Sequence, residues 1–273
     1  MLSIMTTLKP CRGDNTEDHQ WNALSSWLNI IPEGMEIIVL GVEEGVSEFI
    51  DSLNTHRPET PVKLISEVER SKYGAPLLND AFRKGFEVAE NDVLAYINGD
   101  IILMNDFRDA LLKTVNHFED FMVGLRVWDA VSFGRIDFSD EGWLSTYRRW
   151  ALGEGALRDP NGVDVFVFSR SAFPNGYIEK PLRLGRVYFD NYLLYHGKKN
   201  TGVLIDWTPS VVAMHQRHDY GHVGDDPFSH PDGVRNSELA PAFERATMND
   251  ATHVLPPGWC QPGRISFGKK EKG

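Results

Sequence analysis

The chain has 273 residues, enough for one large α/β domain or two small fused ones. Its 39 acidic against 28 basic side chains leave a formal charge of −11, which argues against a protein that grips nucleic acid or anionic lipid through a basic face. Hydrophobic residues make up 41%, which is ample for a core and argues against global disorder.

Leu2 to Thr7 reads as a short buried strand that ends before Pro10 and the polar turn Arg12-Gly13-Asp14-Asn15. Glu17 to Ile30 reads as a helix, with Trp21, Leu24, Trp27 and Leu28 at three- and four-residue spacing and Pro32 and Gly34 as the stop. Met35 to Gly41 is an apolar run of the kind found in parallel sheets covered on both faces. A helix over Val46 to Leu53 and a strand over Val62 to Ile65 follow. Pro76 to Ala89 is amphipathic through Leu77, Leu78, Ala81, Phe82 and Phe86, with Pro76 suited to a first turn. Asp92 to Ile97 is a central strand, Asn105 to Phe118 a helix with Phe107, Leu111, Leu112 and Val115 inward, and Phe121 to Val127 the next strand. Strand and helix alternate to this point, which implies a mostly parallel open sheet.

The second half is less regular. Trp128 to Arg158 reads as long loops with a short helix at Leu144 to Ala151. Val163 to Phe168 alternates as a strand, Tyr188 to His196 is helical, and Thr201 to Ile205 and Ser210 to Met214 are apolar strands. Beyond Asp219 no period is clear, although Ser237 to Thr247 has helical character. No linker separates two domains, so a single domain over 1–273 is expected.

Only Cys11 and Cys260 occur, which gives no disulfide framework or zinc spacing and implies two free thiols in a reducing compartment. The N-terminal residues lack the form of a signal peptide, and no stretch approaches the ~20 apolar residues of a membrane span. A soluble, cytoplasmic protein is expected.

Ligands of open α/β sheets bind beyond the carboxyl ends of the strands. Thr6, Thr7 and Lys9 follow the first strand, Glu43 and Glu44 the second, and Asn98-Gly99-Asp100 the strand from Asp92. The tripeptide has two readings. Its oxygens can hold a hard divalent cation that keeps positions open for phosphates, or the three turn-forming residues simply reverse the chain. His215 to His222 follows an apolar strand and carries His215, His218 and His222. One imidazole can complete a metal shell begun by Asp100, or the segment is a solvated loop. Asp190, between aromatic residues at a helix start, is either an N-cap or a general base whose pKa its surroundings raise. No GxGxxG, GxxxxGK[ST] or GxSxG occurs, which counts against a dinucleotide oxidoreductase, a P-loop NTPase and an α/β-hydrolase.

In this order, Asn98-Gly99-Asp100, Asp190 and His215 resemble the DXD-type metal motif, the acceptor-side acid and the late histidine of nucleotide-sugar glycosyltransferases of GT-A fold. Thr7-Leu8-Lys9-Pro10, Ala75 to Asp80, Phe189 to Tyr192 and Ile205 to Pro209 look similar to bacterial and viral glycosyltransferase-like proteins, so the likeness runs from about Leu2 to His222. The chain departs from that pattern at Asn98, where a carboxamide replaces the first acid.

The resemblance implies a GT-A (Rossmann-like) single domain with a mixed, mostly parallel central sheet. Its nucleotide-sugar half would span about 1–127, and its acceptor half and extension about 128–273. It implies transfer of a sugar from a nucleoside diphosphate sugar, expected to be a UDP-sugar, to a hydroxyl, with inversion and with Asp190 as base. Mn²⁺ or Mg²⁺ would be held by Asp100 and His215, with Asn98 weaker and His218 the alternative to His215. Thr6, Thr7, Lys9, Glu43 or Glu44, Lys72, Tyr73, Asn79, Asn98 and Gly99 would serve the donor. Gly162, Val163 and Asp164 would form the acceptor floor, with Trp128 and Trp207 as stacking platforms. The partners implied are a nucleotide-sugar and a carbohydrate or other hydroxyl acceptor, with no nucleic acid and no membrane span. The alternatives are a nucleotidyltransferase and a non-catalytic nucleotide- or carbohydrate-binding relative.

Overall fold

Apolar runs dictate the centre of the molecule. The computed structural model describes residues 1–30, 34–131, 134–217, 226–257 and 268–269. Strands β1 (Leu2–Thr6), β2 (Met35–Leu40), β3 (Val62–Ile65) and β4 (Val93–Ile97) alternate with helices α1 (Asn15–Ile30), α2 (Val46–His56) and α3 (Leu78–Val88). Every residue of β1 and β2 is buried, as strands covered on both faces must be. Next come β5 (Ile101–Leu103), α4 (Asn105–His117), β6 (Met122–Leu125), β7 (Trp128–Ala130), α5 (Trp143–Glu154), β8 (Ala156–Leu157) and β9 (Val165–Ser169). The chain continues through α6 (Phe189–Thr201), β10 (Leu204–Asp206), β11 (Ala213–Gln216), α7 (Pro231–Leu239), β12 (His253–Val254) and β13 (Gly268–Lys269).

The main sheet has the order β13-β12-β10-β6-β9-β4-β1-β2-β3. β3, β2, β1 and β4 are mutually parallel, and β9 is antiparallel to both neighbours, β4 and β6. Its strands come from both sides of residue 127. Side-chain alternation splits the core: Ile4, Ile37 and Val39 pack on one face, Met5, Ile38 and Leu40 on the other. Phe82 and Phe86 of α3 stack on Phe168 of β9 within the second cluster.

Several segments differ from their sequence-based expectation. The stretch after Val127, expected to be mostly loop, supplies β7 and β8 of a second sheet ordered β5-β11-β7-β8. The helix expected over Ser237 to Thr247 lies earlier, over Pro231–Leu239, where His230 caps the Asp232 amide and Pro231 opens the first turn. Pro241 lacks the amide needed to extend it. α3 begins at Leu78 rather than Pro76, because Leu77 bridges to Arg183 and the Pro76 carbonyl accepts from the Leu184 amide. On α4, Thr114 is buried where Val115 was expected, and Val115 faces outward. The reason is polar: the Thr114 hydroxyl accepts from Trp207 Nε1 at 3.1 Å.

Trp207 is wholly buried, edge-on to Phe107, so it is a core residue and not a sugar platform. Replacing it with alanine should cost about 3–5 kcal/mol in urea unfolding. Ligand affinity should be untouched in the fraction that folds, and weaker ligand binding in folded protein would contradict this placement.

Candidate active site

At the carboxyl ends of β1, β2 and β4, where the strand order reverses between β1 and β4, lies a cleft of about 840 Å³. Thr7, Lys9, Glu43, Tyr73, Asn98, Gly99 and Asp100 line one part. Arg158, Gly162, Asp164, Arg186, Tyr188, Asp190 and His215 line the rest.

A buried amide network fixes the Lys9–Asp100 corner. Gln20 of α1 accepts from the Lys9 amide at 2.6 Å and donates to its carbonyl at 3.1 Å. Gln216, fully buried at the end of β11, donates to the carbonyls of His19 and Asp100, and its own oxygen accepts from Asn22 Nδ2. Gly99 is required by packing: a Cβ there would stand 2.7 Å from Leu8 Cδ2 and 2.9 Å from the Thr7 carbonyl.

On this frame Asp100 Oδ2 is 3.3 Å from Lys9 Nζ and 3.7 Å from His215 Nε2. His215, expected to follow a strand and stand in a loop, is instead the third residue of β11 and is only 4% exposed. Its Nδ1 lies 2.6 Å from Asp129, its register partner on β7. Burial lowers the His215 pKa, but the Asp100 charge and hydrogen bonds to Asp100 and Asp129 outweigh it and push it up to about 9. Asp129 is pulled down to about 2: burial opposes ionisation, and the bonds from His215 and Arg158 overcome it. Arg158 holds both Asp129 oxygens at 3.0–3.1 Å and pairs with Asp164, which in turn accepts from Asn98 Nδ2 at 2.6 Å.

The donor set suits a divalent cation. A carboxylate and an imidazole converge, and a second carboxylate on the far ring nitrogen orients a ligating histidine. A cation there would need further oxygen donors from outside the chain. Among the described residues no group of three or more His, Cys, Asp or Glu could hold a metal, so Asp100 and His215 would act as a pair. The Asn98 amide is engaged through its nitrogen by Asp164, and His218 lies outside the described residues.

Asp190 occupies the first turn of α6 and lines the cleft. Tyr188, at φ 70°, is left-handed despite its side chain, and this bend delivers Phe189 and Asp190 to the cleft. Burial is the main cause that raises Asp190 to about 7; the neighbouring Asp164 charge adds to it, while backbone N–H bonds from Asn191 and Val163 oppose it.

The other expected site residues divide between the cleft and its surroundings. Thr6 and Val163 are buried beneath the cleft. Glu44 is exposed and paired with Arg12, Glu43 is paired with Arg70, and the Lys72 ammonium lies over the Tyr73 ring. Asn79 on α3 and Trp128 on β7 do not line the cleft; Trp128 packs against the core instead. Asp129 and Arg158 were missed because they sit in segments without apolar period; only the pairing of β7 with β11 reveals Asp129. Cys11 is a buried thiol pushed up to about 11, chiefly by desolvation, and Cys260 is outside the described residues.

No protein-family model and no curated protein matches the chain. Solved structures do. Staphylococcus aureus TarS 1–349 in complex with UDP-GlcNAc is similar at TM-score 0.55 and 9% identity over 87% of this chain and 64% of that one. The same protein without that ligand gives 0.51 and 10% over 79% and 60%. Mycobacterium tuberculosis glucosyl-3-phosphoglycerate synthase, with Mn²⁺, UDP and glucosyl-3-phosphoglycerate, gives 0.50 and 13% over 88% and 81%. The chain thus spans about three-fifths of the length of the TarS chains. At these identities the likeness is one of fold, and that fold is GT-A. Among the described residues no helix is long and apolar enough to cross a membrane.

Proposed function

We propose that the protein is a GT-A glycosyltransferase that moves a sugar from a nucleoside diphosphate sugar, preferentially a UDP-sugar, to a hydroxyl with inversion. The observation that carries this reading is the meeting, in one cleft at the strand-order reversal, of Lys9, the Asp100–His215 pair and Asp190. The structurally similar proteins with UDP-GlcNAc, or with UDP and Mn²⁺, support it. One domain contains both halves, with the donor toward Thr7, Lys9 and Glu43 and the acceptor toward Gly162, Asp164 and Asp190.

A divalent cation at Asp100 and His215 would offset the charge that gathers on the leaving diphosphate. The chain's own groups do the rest. Lys9, tethered by Gln20, presents an ammonium beside that diphosphate. Glu43, oriented by Arg70, accepts from ribose hydroxyls. Asp190 takes the acceptor's proton as the new C1–O bond forms and the bond from C1 to the phosphate oxygen breaks. Asp129 and Arg158 keep His215 and Asp164 in place, so the corner does not have to assemble around substrate.

Calorimetric titration with UDP, with and without Mn²⁺, tests the reading. Binding should be clearly tighter with the metal. The reading fails if no nucleoside diphosphate shows metal-enhanced binding.

A further inference from the structure

Arg186 is one of the arginines of the cleft. It lines the cleft in the segment that leads to α6, and its Nε is enclosed by protein without a hydrogen-bond acceptor among the described residues. Among the described residues, Nη1 donates to the adjacent Gly185 carbonyl at 3.1 Å. The carboxylate whose charge bears on it is Asp232, which is 2% exposed and already accepts from Arg183 Nε at 3.3 Å and Ser71 Oγ at 2.7 Å. One acid therefore serves two guanidiniums. Burial pulls Arg186 below the usual arginine range, the sign of a cation whose lost hydration is not repaid.

The segment around it is rigid. Asn236 of α7, fully buried, accepts from the Arg183 amide and donates to the carbonyls of Arg183 and Val187. The Leu184 amide donates to the Pro76 carbonyl, and the Arg245 guanidinium carbon lies 3.3 Å from the centre of the Tyr188 ring. Arg186 is thus held four residues before Asp190, facing the same cavity.

We propose that Arg186 is an acceptor-side anion site: the molecule whose hydroxyl meets Asp190 carries a carboxylate or phosphate, which the guanidinium grips through its Nη donors. This rests on the glycosyltransferase reading for its name of acceptor, but the anion site itself is separable from it. An alcohol with such a group would be anchored at one end and reactive at the other, which fixes its hydroxyl at the base.

The test is calorimetric titration of the full chain, loaded with UDP and Mn²⁺, with glycerol 1-phosphate, glycerate and glycerol. At least one anionic probe should bind about tenfold or more tighter than glycerol, and which one does so separates phosphate from carboxylate. Arg186→Gln should abolish that preference, while Arg186→Lys should keep part of it; circular dichroism confirms that each is folded. Equal affinity for glycerol and both anions would overturn the proposal. So would a preference unchanged in Arg186→Gln, or a Gln variant whose loss is in UDP affinity instead. Failure of UDP itself to bind would count against the glycosyltransferase reading alone, since the same titrations without nucleotide still report on Arg186.

Discussion

Asp190→Asn is expected to lower sugar transfer, or slow hydrolysis of a bound donor, by about 10²–10⁴-fold. UDP affinity should be preserved, because the carboxamide keeps the shape of the side chain at the start of α6. The pH dependence follows from the environment of Asp190. Its pKa stands near 7 in the folded chain against 3.8 when unperturbed, so the active ionised form grows in across neutral pH and the rate should reach half its plateau near pH 7. Stability moves the other way. The folded state prefers the protonated acid, so stability is full below about 4 and is lost as the pH climbs to about 7, while the unfolded chain ionises first. Asp190→Asn carries no such charge and should gain on the wild type across that window. A variant that is inactive yet increasingly stable relative to wild type toward pH 8 is the signature of a carboxylate kept in place for its chemistry. Retained turnover in the variant would remove Asp190 as the base.

The second large effect is expected at Asp100. Asp100→Ala should abolish the metal-dependent part of UDP binding, a loss of at least about tenfold, or ~1.4 kcal/mol, in the presence of Mn²⁺. Binding without metal should be unchanged or stronger, since Lys9 would no longer share its charge with a carboxylate 3.3 Å away. That crossing pattern separates a ligand from a structural acid. If the variant binds UDP less well by the same factor with and without metal, Asp100 shapes the loop and does not hold the cation.

Much of the fold was legible because its strands are dense in apolar residues. β1, β2 and β3 begin where their apolar runs begin, and α1 follows the spacing of Leu24, Trp27 and Leu28. What was illegible shares one physical cause. β5, β7 and β8 are two or three residues long, too short to display a period; β5 and β7 exist because β11 gives their backbones partners, and β8 because β7 does. α7 carries a buried Asp232 and Asn236 on its inner face, so no hydrophobic stripe marks it. Thr114 and Trp207 chose each other across 93 residues, which no local pattern predicts.

The same distinction applies to the site. Asp100, His215 and Asp190 stand at or near element ends, where residue type and position already invite a reading, and the structure brings all three to one cleft. Arg158 and Asp129 have no such mark; their place depends on a register between strands 86 residues apart. Trp207 shows the reverse error, since an aromatic residue after a strand reads the same whether it meets a sugar or a phenylalanine.

The Gln216 side chain touches both α1 and the Asp100 backbone while its own strand carries His215. The Lys9 loop, the Asp100 turn and the strand that carries His215 therefore share a single relay of amides rather than three separate supports. A nucleotide arriving at Lys9 would meet dipoles already aimed, with little reorganisation left to spend at the barrier. Selectivity among donors would then arise from what fits a fixed mould, and a chemically altered nucleoside should be refused outright instead of being accommodated slowly.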